Sequence, residues 1–288
     1  MKKVRKAVIP AAGFGTRMLP ATKAIPKEML PIVDKPAIQY IVEEAFASGI
    51  EDILIITSRG KSAIEDHFDR DFLLEAALSK PGKEDLLESV LYPTRLGNIT
   101  FVRQPEQKGL GHAVTFAKTF VGDEPFAVLY GDDVIMSDDP VTAQLIRAYE
   151  KYGKMALGIK EVSDELIVKY SSLKVQPLED NVFSVTDMVE KPAFEDRFSN
   201  YSILGRVLLT PDIFEILENQ PAGAGGEIQL TDAMCTLARR SGAVGVDFYG
   251  KRYDMGNKLE MVKAIVETAM THEEIGEDFK AYLSCLNL

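Results

Sequence analysis

Ala11-Ala12-Gly13-Phe14-Gly15-Thr16-Arg17 runs without a break into Met18-Leu19-Pro20-Ala21-Thr22-Lys23-Ala24-Ile25-Pro26-Lys27-Glu28-Met29-Leu30-Pro31. Upstream, Val4 to Pro10 is a short apolar run with strand character, so the first seven residues are a turn leaving a strand. Glycine admits φ > 0 and lets the backbone approach a ligand, and amides in such a loop point outward at anions. Ala11 and Ala12 leave room for a flat ring over the backbone. Arg17 adds a permanent cation with bidentate reach to phosphate. A Gly-x-Gly turn alone implies no more than a tight connection. It is not a dinucleotide fingerprint either, because Met18 stands where a third glycine is required. The stretch that follows holds Pro20, Pro26 and Pro31, which excludes a regular helix or a central strand. It predicts a stiff, basic, ordered loop that fixes Lys27 at low entropic cost. Gly13, Gly15, Arg17 and Lys27 then form one contiguous anion-binding arrangement.

Beyond Pro31, Asp34 is placed to cap a helix with Pro36 in its first turn. Ile38, Ile41, Val42, Ala45 and Phe46 recur at helical spacing, and Gly49 ends the run. Ile53 to Thr57 is a β-branched strand. The opening therefore reads β-loop-α-β, the unit of a parallel sheet. Ile99 to Arg103, Phe126 to Tyr130 and Met155 to Ile159 continue the strands. Between them, Ala113, Phe116, Ala117 and Phe120 predict one helix face, and Asp139-Pro140 opens another helix with Leu145, Ile146 and Tyr149. The rhythm then changes. Leu173 to Val175, Val182 to Val189 and Ile203 to Leu209 are strands with few helices between them. Pro211 to Asn219 is a short helix, Ile228, Met234 and Leu237 mark a further one, Val244 to Tyr249 is a last strand, and the tail from Lys258 is helical. The fold class implied is α/β: a Rossmann-like, mostly parallel central sheet flanked by helices, with a mixed or antiparallel extension.

The chain has 288 residues, 46% hydrophobic and 27% charged, enough for a sizeable core. Its net charge is −11 and no run of Lys and Arg forms a basic stripe, which disfavours nucleic acid and anionic membrane as partners. Two cysteines, Cys235 and Cys285, make neither a metal motif nor a disulfide framework, and fit reduced thiols in a cytoplasmic protein. No apolar run is long enough to span a membrane, and the basic Met1 to Lys6 leads into a strand, not a signal peptide. Such an acidic protein must gather its few cations, or a divalent metal, wherever it binds a polyphosphate.

Gly-x-Gly-Thr-Arg followed by Pro-Lys-Glu-Met-Leu-Pro resembles the signature of the sugar-1-phosphate nucleotidyltransferases. Further motifs of that family follow in order over nearly the whole chain. They include Val33-Asp34-Lys35-Pro36, Lys108-Gly109-Leu110-Gly111-His112-Ala113, Gly131-Asp132-Asp133, Glu190-Lys191-Pro192, Gly223-Ala224-Gly225-Gly226-Glu227-Ile228-Gln229-Leu230-Thr231-Asp232 and Lys251-Arg252-Tyr253-Asp254-Met255-Gly256. The resemblance implies a single catalytic domain over 1–288: a nucleotide-binding part to about 135, a sugar-binding part over 136–256, and C-terminal helices from 257. It implies UTP and glucose 1-phosphate as substrates, Mg²⁺ as cofactor, and a homodimer or homotetramer.

The resemblance also assigns roles. Ala11, Ala12, Gly13, Gly15, Gln104 and Gly109 bind the nucleotide. Gln104 and Gly109 take the uracil, since a side-chain amide donates and accepts at once. Arg17, Lys27, Asp132 and Lys191 are catalytic. Gly158, Glu190 and Lys191 hold the sugar phosphate. Asp132 and Asp254 hold Mg²⁺, which takes one or two carboxylates beside phosphates and water. Asp133 is expected to support the site from behind, and His112 to start a helix, because this chemistry needs no histidine base. Ser171 stands where the family commonly has glycine after a tyrosine, which is expected to add a side chain near the sugar. The rival readings are the same reaction with dTTP, a non-catalytic nucleotide-sugar sensor, and a nicotinamide-dependent oxidoreductase. Retention of the carboxylates and the basic loop opposes the second, and the missing glycine opposes the third.

Overall fold

The structure, a computed structural model, describes residues 2–286. Its strands are β1 (Lys6–Pro10), β2 (Pro31–Ile32), β3 (Lys35–Pro36), β4 (Asp52–Thr57), β5 (Asn98–Arg103), β6 (Phe126–Leu129), β7 (Asp133–Met136), β8 (Met155–Glu161), β9 (Ser171–Glu179), β10 (Val182–Glu190), β11 (Tyr201–Leu209), β12 (Ala243–Asp247) and β13 (Lys251–Asp254). One nine-stranded sheet has the order β5-β4-β1-β6-β11-β8-β12-β10-β9. β5, β4, β1 and β6 are mutually parallel, β8 and β12 run with them, and β11 and β10 run against their neighbours. The expected parallel half and mixed extension are thus both present, in one continuous sheet.

Residues of one strand alternate between two cores. Ala7 and Ile9 face one side with Ile53 and Ile55, while Val8 faces the other with Leu54 and Ile56. Helices Ala37–Ala47 and Val141–Tyr152 cover the first face; Leu110–Thr115, Asp212–Asn219 and Leu230–Ser241 cover the second. Coverage on both sides is why the strands read as unbroken apolar runs in the sequence. Each buried Val, Leu or Ile contributes about 1.5–3 kcal/mol through burial.

β4 and β6 lie on opposite sides of β1. The loops that leave β1 and β6 therefore diverge, and an α/β sheet binds its ligands in the crevice opened at such a switch point. Ala11 follows β1, and Asp132 follows β6. A second device completes the crevice. β7 and β13 form a separate antiparallel pair with Asp133 opposite Asp254, and the Met255 amide donates to the Asp132 carbonyl at 2.8 Å.

Some local expectations fail. Asp34 caps nothing: β2 and β3 form a tight hairpin across it, and Pro36 is the residue that enters the helix. The helix expected from Ala113 to Phe120 is two pieces, Leu110–Thr115 and Lys118–Val121, separated where Phe116 and Ala117 make i→i−3 bonds to Ala113 and Val114. Helices Ser62–Phe68, Phe72–Leu78 and Glu84–Thr94 escaped the pattern because they lie on the surface, with Phe72, Leu73 and Leu86 exposed.

Candidate active site

The glycine turn is shaped by the loop after it. Gly15 takes φ +67°, the Thr22 hydroxyl donates to its carbonyl at 2.7 Å, and a Cβ there would stand 3.2 Å from that of Lys27. The proline-rich stretch is not coil but three single 3-10 turns: Thr16–Met18, Ala21–Lys23 and Lys27–Met29. It folds back so that Lys27 Nζ lies 2.5 Å from Asp132 Oδ2. Arg17 spans the two acidic segments, 3.3 Å from Asp132 Oδ2 and 3.3 Å from Asp254 Oδ2. Burial pushes the Asp132 carboxyl up, but Lys27 and Arg17 outweigh it and hold its pKa below the ordinary value. Burial likewise works against the Lys27 ammonium, and Asp132 and Glu28 more than restore it.

Two cavities meet at this point. One, of about 280 Å³, is lined by Ala12, Gly13, Lys27, Gln104, Gly109 and Asp132. Gln104 is buried, with its amide 2.8 Å from His112 Nδ1. His112 thus orients the amide, a more specific task than starting a helix. Gly109 takes φ +104°, and a Cβ there would come within 2.7 Å of the Ile228 carbonyl. That close approach requires glycine. The other cavity, of about 410 Å³, is lined by Arg17, Asp132, Tyr170, Glu190, Lys191 and Asp254. Tyr130 and Asp132 line both cavities, so the two are lobes of one cleft.

In the second lobe, Glu190 Oε2 accepts the Thr231 hydroxyl at 2.8 Å, and burial raises the pKa of its carboxyl. Lys191 takes φ +45°, costly for a residue with a Cβ, and its amide donates to the Tyr170 carbonyl at 2.8 Å. Among the described residues its ammonium makes no ion pair, so it is free to meet an anion. Asp133 supports the site as expected: it is buried, with Arg252 Nη2 2.6 Å away. Behind it, Arg206 Nη1 donates to the Asp133 carbonyl at 2.9 Å, while the same guanidinium pairs with Glu44 at 2.5 Å.

Two expectations are corrected. Gly158 does not reach the cleft. It is buried in β8 opposite the irregular part of β11, where a Cβ would meet the Arg206 carbonyl at 3.0 Å and the Phe248 ring at 3.4 Å. Its smallness serves strand packing. Ser171 does not line the second lobe either. Its Oγ accepts the Ile203 amide at 3.1 Å and lies 3.3 Å from Ser202 Oγ, turned into the sheet. Of the other expected residues, Ala12, Gly13, Arg17, Lys27, Gln104, Gly109, Asp132, Glu190, Lys191 and Asp254 line the cleft, whereas Ala11 and Gly15 line neither lobe. The sequence reading missed Tyr130, Tyr170, Thr231, Arg252 and Arg206. Of these, Tyr130, Thr231 and Arg252 sat unassigned beside or inside quoted motifs.

The carboxylates suit a divalent cation. Asp132 and Asp254 aim at one guanidinium, so a single cation already spans both. No group of three or more His, Cys, Asp or Glu side chains is placed to hold a metal among the described residues.

The family model "Nucleotidyl transferase" matches residues 6–271. The chain belongs to this nucleotidyl transferase family. Among its relatives, "UTP--glucose-1-phosphate uridylyltransferase 2" of Staphylococcus saprophyticus is 53% identical over 288 residues, all of both chains. A UTP--glucose-1-phosphate uridylyltransferase of Staphylococcus epidermidis is 52% identical over the same span. In three dimensions this nucleotidyl transferase is similar to a UDP-glucose pyrophosphorylase solved with UDP-glucose (TM-score 0.86, 43% identity, 93% of this chain and 100% of that one). It is also similar to a UTP-bound UGPase from Acinetobacter baumannii (TM-score 0.91, 37% identity, 99% of this chain and 100% of that one). Among the described residues of this nucleotidyl transferase, no helix is long and apolar enough to cross a membrane.

Proposed function

We propose that the protein transfers the uridylyl group of UTP to glucose 1-phosphate, giving UDP-glucose and pyrophosphate. The observation that carries this reading is the cleft of two lobes sharing Asp132, with Lys27 on the nucleotide side, Lys191 on the sugar side, and Arg17 in the sugar-side lobe reaching Asp132. The names of the similar proteins supply the base and the sugar.

Gln104 and Gly109 take the uracil edge, and the Ala11–Gly15 turn carries the triphosphate. Glu190 accepts hydrogen bonds from sugar hydroxyls while Lys191 holds the sugar phosphate. An oxygen of that phosphate attacks the α-phosphorus in line; the bond to the β-phosphate oxygen breaks, and pyrophosphate leaves. The attacking group is already an anion at neutral pH, so no general base is required. The protein's part is positioning and charge neutralisation. Asp132 and Asp254 are the residues that hold Mg²⁺, which when bound neutralises phosphate charge. Arg17 and Lys27, paired with these carboxylates in the free protein, turn to the phosphates. We place the nucleotide part over about 1–135, the sugar part over 136–256, and read the assembly as a homodimer or homotetramer in the cytoplasm.

Pyrophosphate release should require UTP, glucose 1-phosphate and Mg²⁺ together. Chelation with EDTA should abolish it, and added Mg²⁺ should restore it. Full turnover in excess EDTA would rule out the metal role of Asp132 and Asp254. Lys191→Ala should raise KM for glucose 1-phosphate roughly 10- to 100-fold, the scale of one charge-assisted contact, with kcat changed much less. Steady-state kinetics with the sugar phosphate varied checks it, and an unchanged KM would remove Lys191 from that role.

A further inference from the structure

Beneath the nucleotide lobe lies an ion pair that the mechanism above does not use. Lys61 and Glu28 are 7% and 1% exposed. Lys61 Nζ lies 2.8 Å and 2.9 Å from the two Glu28 oxygens, and it donates a further bond to the Ala11 carbonyl at 2.5 Å. One ammonium therefore ties three segments together: the end of β1, the Lys27–Met29 turn, and its own loop after β4.

A buried ion pair is a poor source of stability. Its desolvation often cancels its attraction, and apolar residues of similar volume often do as well or better. Burial lowers the pKa of Lys61 and raises that of Glu28, so each charge is kept mainly by the other. Its location suggests what it does instead. Glu28 directly follows Lys27, and both stand in one 3-10 turn. Ala11 is the first residue of the glycine turn. Lys27 is gripped from the cleft side by Asp132, the partner it must give up when a triphosphate arrives. Lys61 and Glu28 line neither lobe, so that exchange by itself breaks none of their bonds.

We infer that Lys61 and Glu28 are positioning residues, a buried strut that holds Lys27 against the triphosphate at a fixed distance from the glycine turn. The inference rests on the proposed reaction for its readout. It requires that loss of the strut act through Lys27. A displacement of about 1 Å at such a contact costs on the order of 100-fold in rate, so at least a tenfold effect is expected.

The test is the double variant Lys61→Met/Glu28→Leu, which removes both charges and leaves neither unpaired. It should keep the wild-type melting temperature within a few degrees. Its kcat for UDP-glucose formation should fall at least tenfold, with KM for glucose 1-phosphate within about twofold of wild type. In a Lys27→Ala background the same double substitution should change kcat less than about twofold. A folded double variant with wild-type kcat, or full additivity with Lys27→Ala, would overturn the inference. Should the double variant not fold, Lys61→Arg decides. The guanidinium keeps the charge opposite Glu28 but cannot place one compact ammonium on both Glu28 and Ala11, so kcat should still fall; wild-type kcat overturns the inference. Calorimetric titration with UTP gives a readout independent of turnover. At least threefold weaker binding is expected in the double variant, and an unchanged Kd counts against the strut. A wild-type protein that makes no UDP-glucose counts against the proposed reaction, while the titration still judges the strut.

Discussion

Asp132→Ala is expected to lower kcat for UDP-glucose formation about 1000-fold, the scale of losing a charge-organising group at a reacting centre, while the protein stays folded. Asp132 lines both lobes of the cleft, pairs with Lys27 at 2.5 Å and with Arg17 at 3.3 Å. Nothing in the second lobe replaces it, because Asp254 approaches from the other side of Arg17. Asp132→Asn keeps the volume and loses the charge, so it should be impaired nearly as much. The folded state should tolerate either change, since Arg17 is largely exposed and Lys27 keeps the attraction of Glu28. Steady-state rates at saturating Mg²⁺, beside a thermal melt, make the check. Near-normal turnover in either variant would remove Asp132 from the centre of the mechanism.

Arg206→Met should cost about 3–5 kcal/mol of stability, the range for breaking a buried ion pair by removing one partner. Arg206 is 1% exposed. Its guanidinium holds Glu44 at 2.5 Å and donates to the Asp133 and Gly205 carbonyls at 2.9 Å and 3.0 Å. Without it, Glu44 keeps only the Thr142 amide and hydroxyl among these donors, at 3.0 Å and 2.8 Å. The melting temperature should fall by roughly 10 °C. Glu44→Leu in the same chain should recover most of that loss, because the uncompensated charge goes with it. A single variant within about 1 kcal/mol of wild type in denaturant titration would show that the pair is dispensable.

Much of this molecule is legible in the sequence because local chemistry decides it. The Ala11–Pro31 stretch announces its turn, its stiffness and its cations, and the structure folds it with Gly15 at positive φ and Lys27 aimed into the cleft. The parallel half of the sheet is legible because strands covered on both faces must be apolar throughout. What stays hidden depends on register. Asp254 before Met-Gly reads as an ordinary turn, and only the pairing of β7 with β13 sets it opposite Asp133. The partners of Arg206 and Lys61 are equally invisible: Arg206 stands inside an apolar run and Lys61 in a polar loop, and neither setting names a counter-ion. Gly158 misled in the opposite sense: a glycine matched to the sugar turned out to relieve the crowding of one strand against a bulged neighbour. Ser171, a departure that pointed to the sugar, bonds within the sheet instead.

The central claim is that one cleft joins a uridylyl group to glucose 1-phosphate, and it is tested most directly by a substrate panel. The protein is incubated with Mg²⁺ and each of UTP, dTTP, ATP and GTP, paired in turn with glucose 1-phosphate and galactose 1-phosphate, and the products are read by mass spectrometry. UDP-glucose and pyrophosphate formed in equal amounts, with kcat/KM highest for UTP and glucose 1-phosphate, is the predicted result. A clear preference for dTTP, or binding of UTP with no nucleotide sugar formed from any pair, would contradict it.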